Sequence, residues 1–235
     1  MPGKRAYRPD ATAADKVAMF QHQGVWLPDG EQHFPDWMTR NGEMVDGRGT
    51  YQIKKLREAM KWVSRFRIAV DVGGHVGLWS MQLARRFGHV HAYEPVASFR
   101  DCFRRNVTPT ERFTLHKCAL GAAAGHVVMA LDPADTGGTH VTGPGGDIEL
   151  RPLDAFEFQV VDFLKIDCEG YELEVLKGAR ETLERCRPCV IVEQKPHKLE
   201  PNFGIKGTPA VDFLQAMGAV VRREMSGDYI MSWAS

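Results

Sequence analysis

The stretch Ala69-Val70-Asp71-Val72-Gly73-Gly74-His75-Val76-Gly77 decides the fold. It closes an apolar, β-branched run, Arg67–Val72, and opens a helical pattern, Leu78–Arg86, across a glycine turn. A strand, a glycine loop and a helix in that order make the first unit of an α/β sheet. Such sheets bind ligands at the carboxyl ends of their strands. Glycines let the loop turn sharply and let a ligand lie against bare backbone.

Downstream the alternation continues. Val90–Glu94 reads as the next strand, Ser98–Asn106 as a helix, Phe113–Cys118 as a third strand and His126–Leu131 as a fourth near an edge. Residues 132–147, rich in Gly, Pro, Asp and Thr, form a long loop or hairpin. Then come a buried strand at Phe163–Asp167, a helix at Tyr171–Glu184, a buried strand at Val190–Glu193 and a helix at Ala210–Met217. Two last strands, Ala219–Glu224 and Tyr229–Trp233, flank the tight turn Ser226-Gly227-Asp228 and so pair antiparallel. The expected class is α/β: a Rossmann-like, mostly parallel sheet with an antiparallel last strand and helices on both faces.

Upstream, Tyr51–Val63 carries Ile53, Leu56, Met60 and Val63 at helical spacing. Residues 1–50 are polar and broken by prolines, with a short helical chance around Thr12–His22. Val25–Met38 mixes aromatics with turn residues, as a cap over a pocket or a surface arm would. The chain thus divides into an N-terminal extension, 1–50, and one domain, 51–235.

Across 235 residues, 30 Lys+Arg balance 30 Asp+Glu. That argues against a protein held to nucleic acid by bulk charge. Lys54, Lys55, Arg57, Lys61, Arg65 and Arg67 nevertheless gather just before the first strand, which keeps a phosphorylated or nucleotide-like ligand in play. No apolar run is long enough to span a membrane, and the first residues lack the apolar core of a secretory signal. Five scattered cysteines resemble no disulfide framework, so a reducing cytoplasm is expected. Cys186-Arg187-Pro188-Cys189 has no second pair to complete a zinc site and follows a helix, so it reads as two buried thiols.

The glycine loop does not match a dinucleotide G-x-G-x-x-G fingerprint. An acid at the strand end, Asp71, would repel a pyrophosphate but suits a ligand bearing an ammonium group, such as S-adenosylmethionine (SAM). Glu94, at the tip of the neighbouring strand, is placed to accept hydrogen bonds from both ribose hydroxyls. The third feature is Phe163-Leu164-Lys165-Ile166-Asp167-Cys168-Glu169-Gly170-Tyr171-Glu172. Lys165 and Asp167 share one face of the strand, and Glu169 follows in the turn. The cluster is either a structural ion pair or a device to orient a hydroxyl, accept its proton, hold an ammonium group or bind a metal.

DVGGHVG, HAYEP with a helix ending at Asn106, ALG at 119–121, and FLKIDCEGYELEVLKGA together resemble the FkbM-type SAM-dependent methyltransferases. The resemblance covers about residues 68–195. It implies a class I methyltransferase fold with seven strands, the last antiparallel. It also implies a SAM cofactor and O-methylation of a small-molecule hydroxyl, on a sugar, a natural product or a nucleotide-like acceptor. On this likeness Asp71, Gly73, Gly74, His75, Gly77, Glu94, Pro95 and Asp167 line the cofactor site, with Cys118 and Ala119 beside the adenine. His75 departs from the family, which usually has asparagine there.

For catalysis, Asp167 leads as base or hydroxyl-aligning group, with Glu193, Lys195 and Lys54 approaching the same pocket; no metal is assigned. A sharper alternative is an RNA ribose 2′-O-methyltransferase using a Lys-Asp-Lys-acid tetrad: Lys54, Asp167, Lys195 and Asp228 or Glu224. In that arrangement a lysine stabilises the nucleophilic alkoxide.

Overall fold

The computed structural model describes residues 5–6, 18–107 and 112–234, without the side chains of residues 5, 6, 197, 198, 201 and 202. Seven strands form the main sheet: β1 (Ile68–Val72), β2 (His89–Tyr93), β3 (Phe113–His116), β4 (Phe163–Ile166), β5 (Cys189–Glu193), β6 (Ala219–Met225) and β7 (Asp228–Trp233). Their order across the sheet is β6-β7-β5-β4-β1-β2-β3. β7 runs antiparallel to both β5 and β6, and the other pairings are parallel. The order reverses beside β1 and β4, at the sheet's middle. That is the switch point at which open α/β sheets bind ligands.

β4 and β5 are buried along their whole length because both faces are covered. Val70, Val72, Leu164, Ile166, Val190 and Val192 pack toward α5 (Glu172–Lys177), α6 (Arg180–Cys186) and α7 (Pro209–Ala216). Their strand neighbours Ala69, Val90, Phe163 and Ile191 pack toward α2 (Ile53–Met60) and α3 (Leu78–Leu83). The period-two alternation of strand side chains thus feeds two cores, one on each face. On α2 the buried positions are Ile53, Leu56, Ala59 and Met60, one stripe of an otherwise polar helix.

Three sequence expectations are corrected. His126–Leu131 is no edge strand of the main sheet. Gly125–Leu131 belongs to a second sheet, antiparallel to Ile148–Arg151 and His140–Pro144, while Ala119–Leu120 runs parallel to Ile148–Arg151. The expected helix Tyr171–Glu184 is two helices. Gly178 breaks it, where an added Cβ would lie 2.0 Å from the Gly121 carbonyl oxygen. Met19–His22 is not helical but pairs with Val25–Pro28 in a hairpin; Thr12–Val17 lie outside the described residues. Of the loop or hairpin expected over 132–147, the structure has the hairpin: His140–Pro144 returns antiparallel to Gly125–Leu131 after a turn of 3₁₀ helix, Thr136–Gly138.

The N-terminal segment joins the core. Val25, Leu27, Phe34 and Met38, the last two on α1 (His33–Asn41), share a buried cluster with Val76, Leu78, Val96, Phe99 and Ala119. Asn106, at the end of α4 (Ala97–Asn106), bridges the two. Its Oδ1 accepts the Trp26 N–H at 2.7 Å, and its Nδ2 donates to the Trp26 and Val76 carbonyls at 2.8 Å each.

Candidate active site

A cavity opens over the carboxyl ends of β1, β2, β4 and β5 and, counted with the solvent-open space at its mouth, spans about 1150 Å³. Gly73, Gly74 and His75 line one wall, with Glu94, Pro95 and Ala119 beside them. Asp167, Glu169, Glu193 and Lys195 line the opposite side. His33, Phe34 and Tyr51 from the N-terminal segment and Asp135–Thr139 from the long loop enclose it further.

The floor is built by Lys165. Register places it opposite Asp71 on β1, and its Nζ lies 3.1 Å from Asp71 Oδ1. The ammonium also donates to the Gly73 carbonyl at 2.9 Å and stands 3.9 Å from Asp167 Oδ2. Burial opposes the charge, but Asp71 and Asp167 outweigh it and hold the Lys165 ammonium above its ordinary range. Asp71 is fully buried, and its second oxygen accepts the Ser80 hydroxyl at 2.6 Å. Both oxygens of Asp71 are therefore engaged beneath the cavity, and Asp71 is not among its lining residues.

Glycine is required where the loop meets β4. Gly73 has φ +75°, and an added Cβ would lie 2.1 Å from the Asp167 carbonyl oxygen. Gly77, φ +87°, is needed for packing instead: its Cβ would meet Val107 and Phe103 at 2.8–3.0 Å. It does not line the cavity, and neither does the buried Cys118, whose thiol burial pushes up to about 11.

Glu94 is 4% exposed. One oxygen takes the His75 N–H at 2.8 Å and the other the Val96 N–H at 2.7 Å, which leaves acceptor capacity on both. Burial pushes its carboxyl up to about 7, against those two N–H groups. Across the cavity, the turn after β4 has Glu169 at φ +49° and Gly170 at φ +105°. Glu172 pins it by accepting the Cys168 and Gly170 N–H groups at 3.0 and 2.9 Å, with Gln194 donating to its other oxygen at 3.1 Å. Glu172 is thus a clamp on the backbone that carries Asp167.

Of the tetrad residues, Lys54 is exposed on the outer side of α2 and does not line the cavity. One helical step of about 100° turns the next side chain inward, and Lys55 ion-pairs with the buried Asp228. Lys195 ion-pairs with Glu193. Glu193 and Asp228 are cross-strand partners, so the two lysines offset a like-charge pair. The basic residues before β1 are likewise compensated: Arg57 by Glu43, Lys61 by Glu58 and Arg67 by Asp162. Oxygens of Asp167, Glu169 and Glu193 lie within 4.8 Å of one another, close enough to share a cation. One of the three, Glu193, already has Lys195.

Residues that sequence reading missed come from the enclosing segments. Tyr51, read there as the first residue of a helix, lines the cavity with its ring packed by Phe34 at 4.8 Å and Trp37 at 4.5 Å. Glu31 and Thr136 bond to each other from segments far apart in sequence. No local pattern marks such a contact. The five cysteines are free thiols, including Cys186 and Cys189 at a helix-to-strand turn. Among the described residues no helix is long and apolar enough to cross a membrane.

A small cationic nucleoside fits this wall. Bare glycine backbone borders it, Glu94 offers two acceptor oxygens, and the buried Thr139 hydroxyl lines it without a partner among the described residues. Residues 71–220, more than half of the chain, match the model of the methyltransferase FkbM domain. Methyltransferase sdnD of Sordaria araneosa is 26% identical over 178 residues, 57% of this chain and 69% of that protein. The hexuronic acid methyltransferase AglP of Haloferax volcanii is 26% identical over 130 residues, 52% of this chain and 54% of its own length. The crystal structure of methyltransferase FkbM from Methylobacillus flagellatus KT superposes with a TM-score of 0.49 at 19% identity, covering 72% of this chain and 44% of that one. The chain belongs to the FkbM methyltransferase family and is a SAM-dependent methyltransferase.

Proposed function

We propose that the methyl group goes to a hydroxyl of a small, neutral or cationic acceptor, held beneath residues 31–38 and 132–141. The supporting observation is that Asp167, Glu193 and Tyr51 line one cavity, close enough that both carboxylates bear on the Tyr51 hydroxyl. These groups exchange hydrogen bonds with hydroxyls, whereas among the described residues no arginine lines the cavity to receive a phosphate. SAM bound there supplies an electrophilic methyl group on a sulfonium.

The residues divide that work. Glu94, beside Pro95, accepts from the ribose hydroxyls. The Gly73–His75 backbone borders the cofactor, and Ala119 faces its base. Asp71 acts at one remove, by fixing Lys165. Asp167 orients the acceptor hydroxyl and takes its proton, while Lys195 holds Glu193 at the rim. Alignment is the larger contribution, and a base adds ~10²–10⁴-fold.

The test is labelled methyl transfer from SAM to neutral polyols, amino sugars, uronic acids, sugar phosphates and RNA oligonucleotides. Methyl ethers should form on neutral or cationic acceptors, with phosphorylated ones poorest; label appearing only on RNA, nitrogen or carbon overturns the reading. Asp167→Asn should cut kcat by about 10²-fold or more with little change in SAM affinity. Equal losses in both would make Asp167 a cofactor ligand alone.

A further inference from the structure

The imidazole of His75 is held by two segments outside the main sheet. Its Nε2 lies 2.8 Å from the Thr136 hydroxyl oxygen. Its ring stacks on Phe34 at 4.8 Å and meets the edge of Phe99 at 4.5 Å. Thr136 is bound twice to Glu31: its N–H donates to Oε2 at 2.7 Å, and its hydroxyl donates to the same oxygen. The other Glu31 oxygen takes the Phe34 N–H at 2.9 Å. Glu31 and Thr136 are 3% and 4% exposed, so water does not compete for these bonds.

Proton counting fixes the imidazole. Thr136 has one hydroxyl proton, and Glu31 receives it. The Thr136 oxygen is left only to accept, so His75 Nε2 carries the ring proton. Burial first, then Lys165 and His33, lower the imidazole to about 3 against the pull of Asp167, so the ring is neutral and Nδ1 keeps a lone pair. Nδ1 has no hydrogen bond to a described residue, and His75 lines the cavity. The residue also sits at φ +48°, a conformation a side chain adopts at a cost.

We propose that Glu31 and Thr136 are positioning residues for the cofactor, acting through His75. They fix its imidazole as the Nε2–H tautomer, so that Nδ1 accepts a hydrogen bond from an O–H or N–H donor of SAM. The proposal rests on this cavity being the SAM site. It gives the N-terminal segment and the long loop a part in cofactor recognition as well as in enclosing the acceptor.

Two measurements test it. Nitrogen-15 NMR of histidine-labelled wild-type protein reads the tautomer of His75 directly and should report the Nε2–H form, with Nδ1 shifting when S-adenosylhomocysteine (SAH) is added. Calorimetry then compares SAH with 5′-methylthioadenosine, which keeps the ribose and lacks the amino-acid arm. Thr136→Val and His75→Phe should each weaken SAH by about tenfold, and the double variant should bind no worse than His75→Phe alone. Losses confined to SAH identify the ammonium group as the donor; parallel losses with methylthioadenosine identify a donor of the nucleoside. An Nδ1–H tautomer in the wild type, unchanged affinities, or additive losses overturn the proposal. A wild-type chain that binds neither ligand overturns the cofactor reading, and this inference with it.

Discussion

Glu94 carries the clearest consequence at the residue scale. Two backbone N–H groups hold its carboxylate in place, while burial lifts its titration to about 7. Only the ionised form accepts from two hydroxyls at full strength. SAM affinity should therefore rise as pH climbs through about 7 and level off above it. Glu94→Gln should bind SAM about tenfold more weakly at pH 8 and lose most of that pH dependence, as calorimetry at pH 6 and 8 would read. A wild-type affinity flat across this range would detach Glu94 from the ribose. The proposed role is legible in sequence because an acid at a strand tip, one strand along from a glycine loop, is a local spacing. The engagement of Asp71 with Lys165 and Ser80 is not, since it depends on which strand becomes the neighbour of β1.

Elements are held together by a few polar ties. Asn106 makes three hydrogen bonds that join the Met19–Pro28 hairpin, α4 and the loop after β1. It is 1% exposed, so truncation strands buried backbone groups at about 1–3 kcal/mol each. Asn106→Ala should cost at least about 2 kcal/mol in urea unfolding. A loss under 0.5 kcal/mol would mean that the hairpin is held by its apolar residues alone. The helix at 97–106 was legible from its periodicity, but the partner of its last side chain was not. The same limit separates Lys54 from Lys55. Both are lysines on one helix, and only the docking of α2 decides which meets Asp228.

Across the whole molecule, three buried carboxyls, Glu94, Glu172 and Glu193, are each pushed up to about 7. Burial is the first cause in every case. For each, the folded chain keeps its proton at pH values where the unfolded chain, titrating near 4.5, has released it. Their contribution to stability is complete below about 4.5 and is lost as pH rises through about 7. Tm of the ligand-free protein should be higher near pH 5.5 than at pH 8. If Glu94 holds the ribose as proposed, SAM should narrow the gap by binding the ionised state. A Tm that rises steadily from pH 5.5 to 8 would contradict this assignment.

By itself the sequence determined the α/β alternation, the antiparallel last strand, the glycine loop and the acid at the next strand tip. All of these are written in periodicities of two or 3.6 residues and in short spacings, which sterics read locally. The tertiary structure alone decided that Gly125–Leu131 leaves the main sheet and that Lys55 supplants Lys54. It alone brought Glu31 and Thr136 together over His75. Those outcomes rest on contacts between residues up to 173 positions apart, where the alternatives differ in which groups end up buried and satisfied. No local pattern carries that information, because burial and hydrogen-bond satisfaction exist only once the chain has closed on itself.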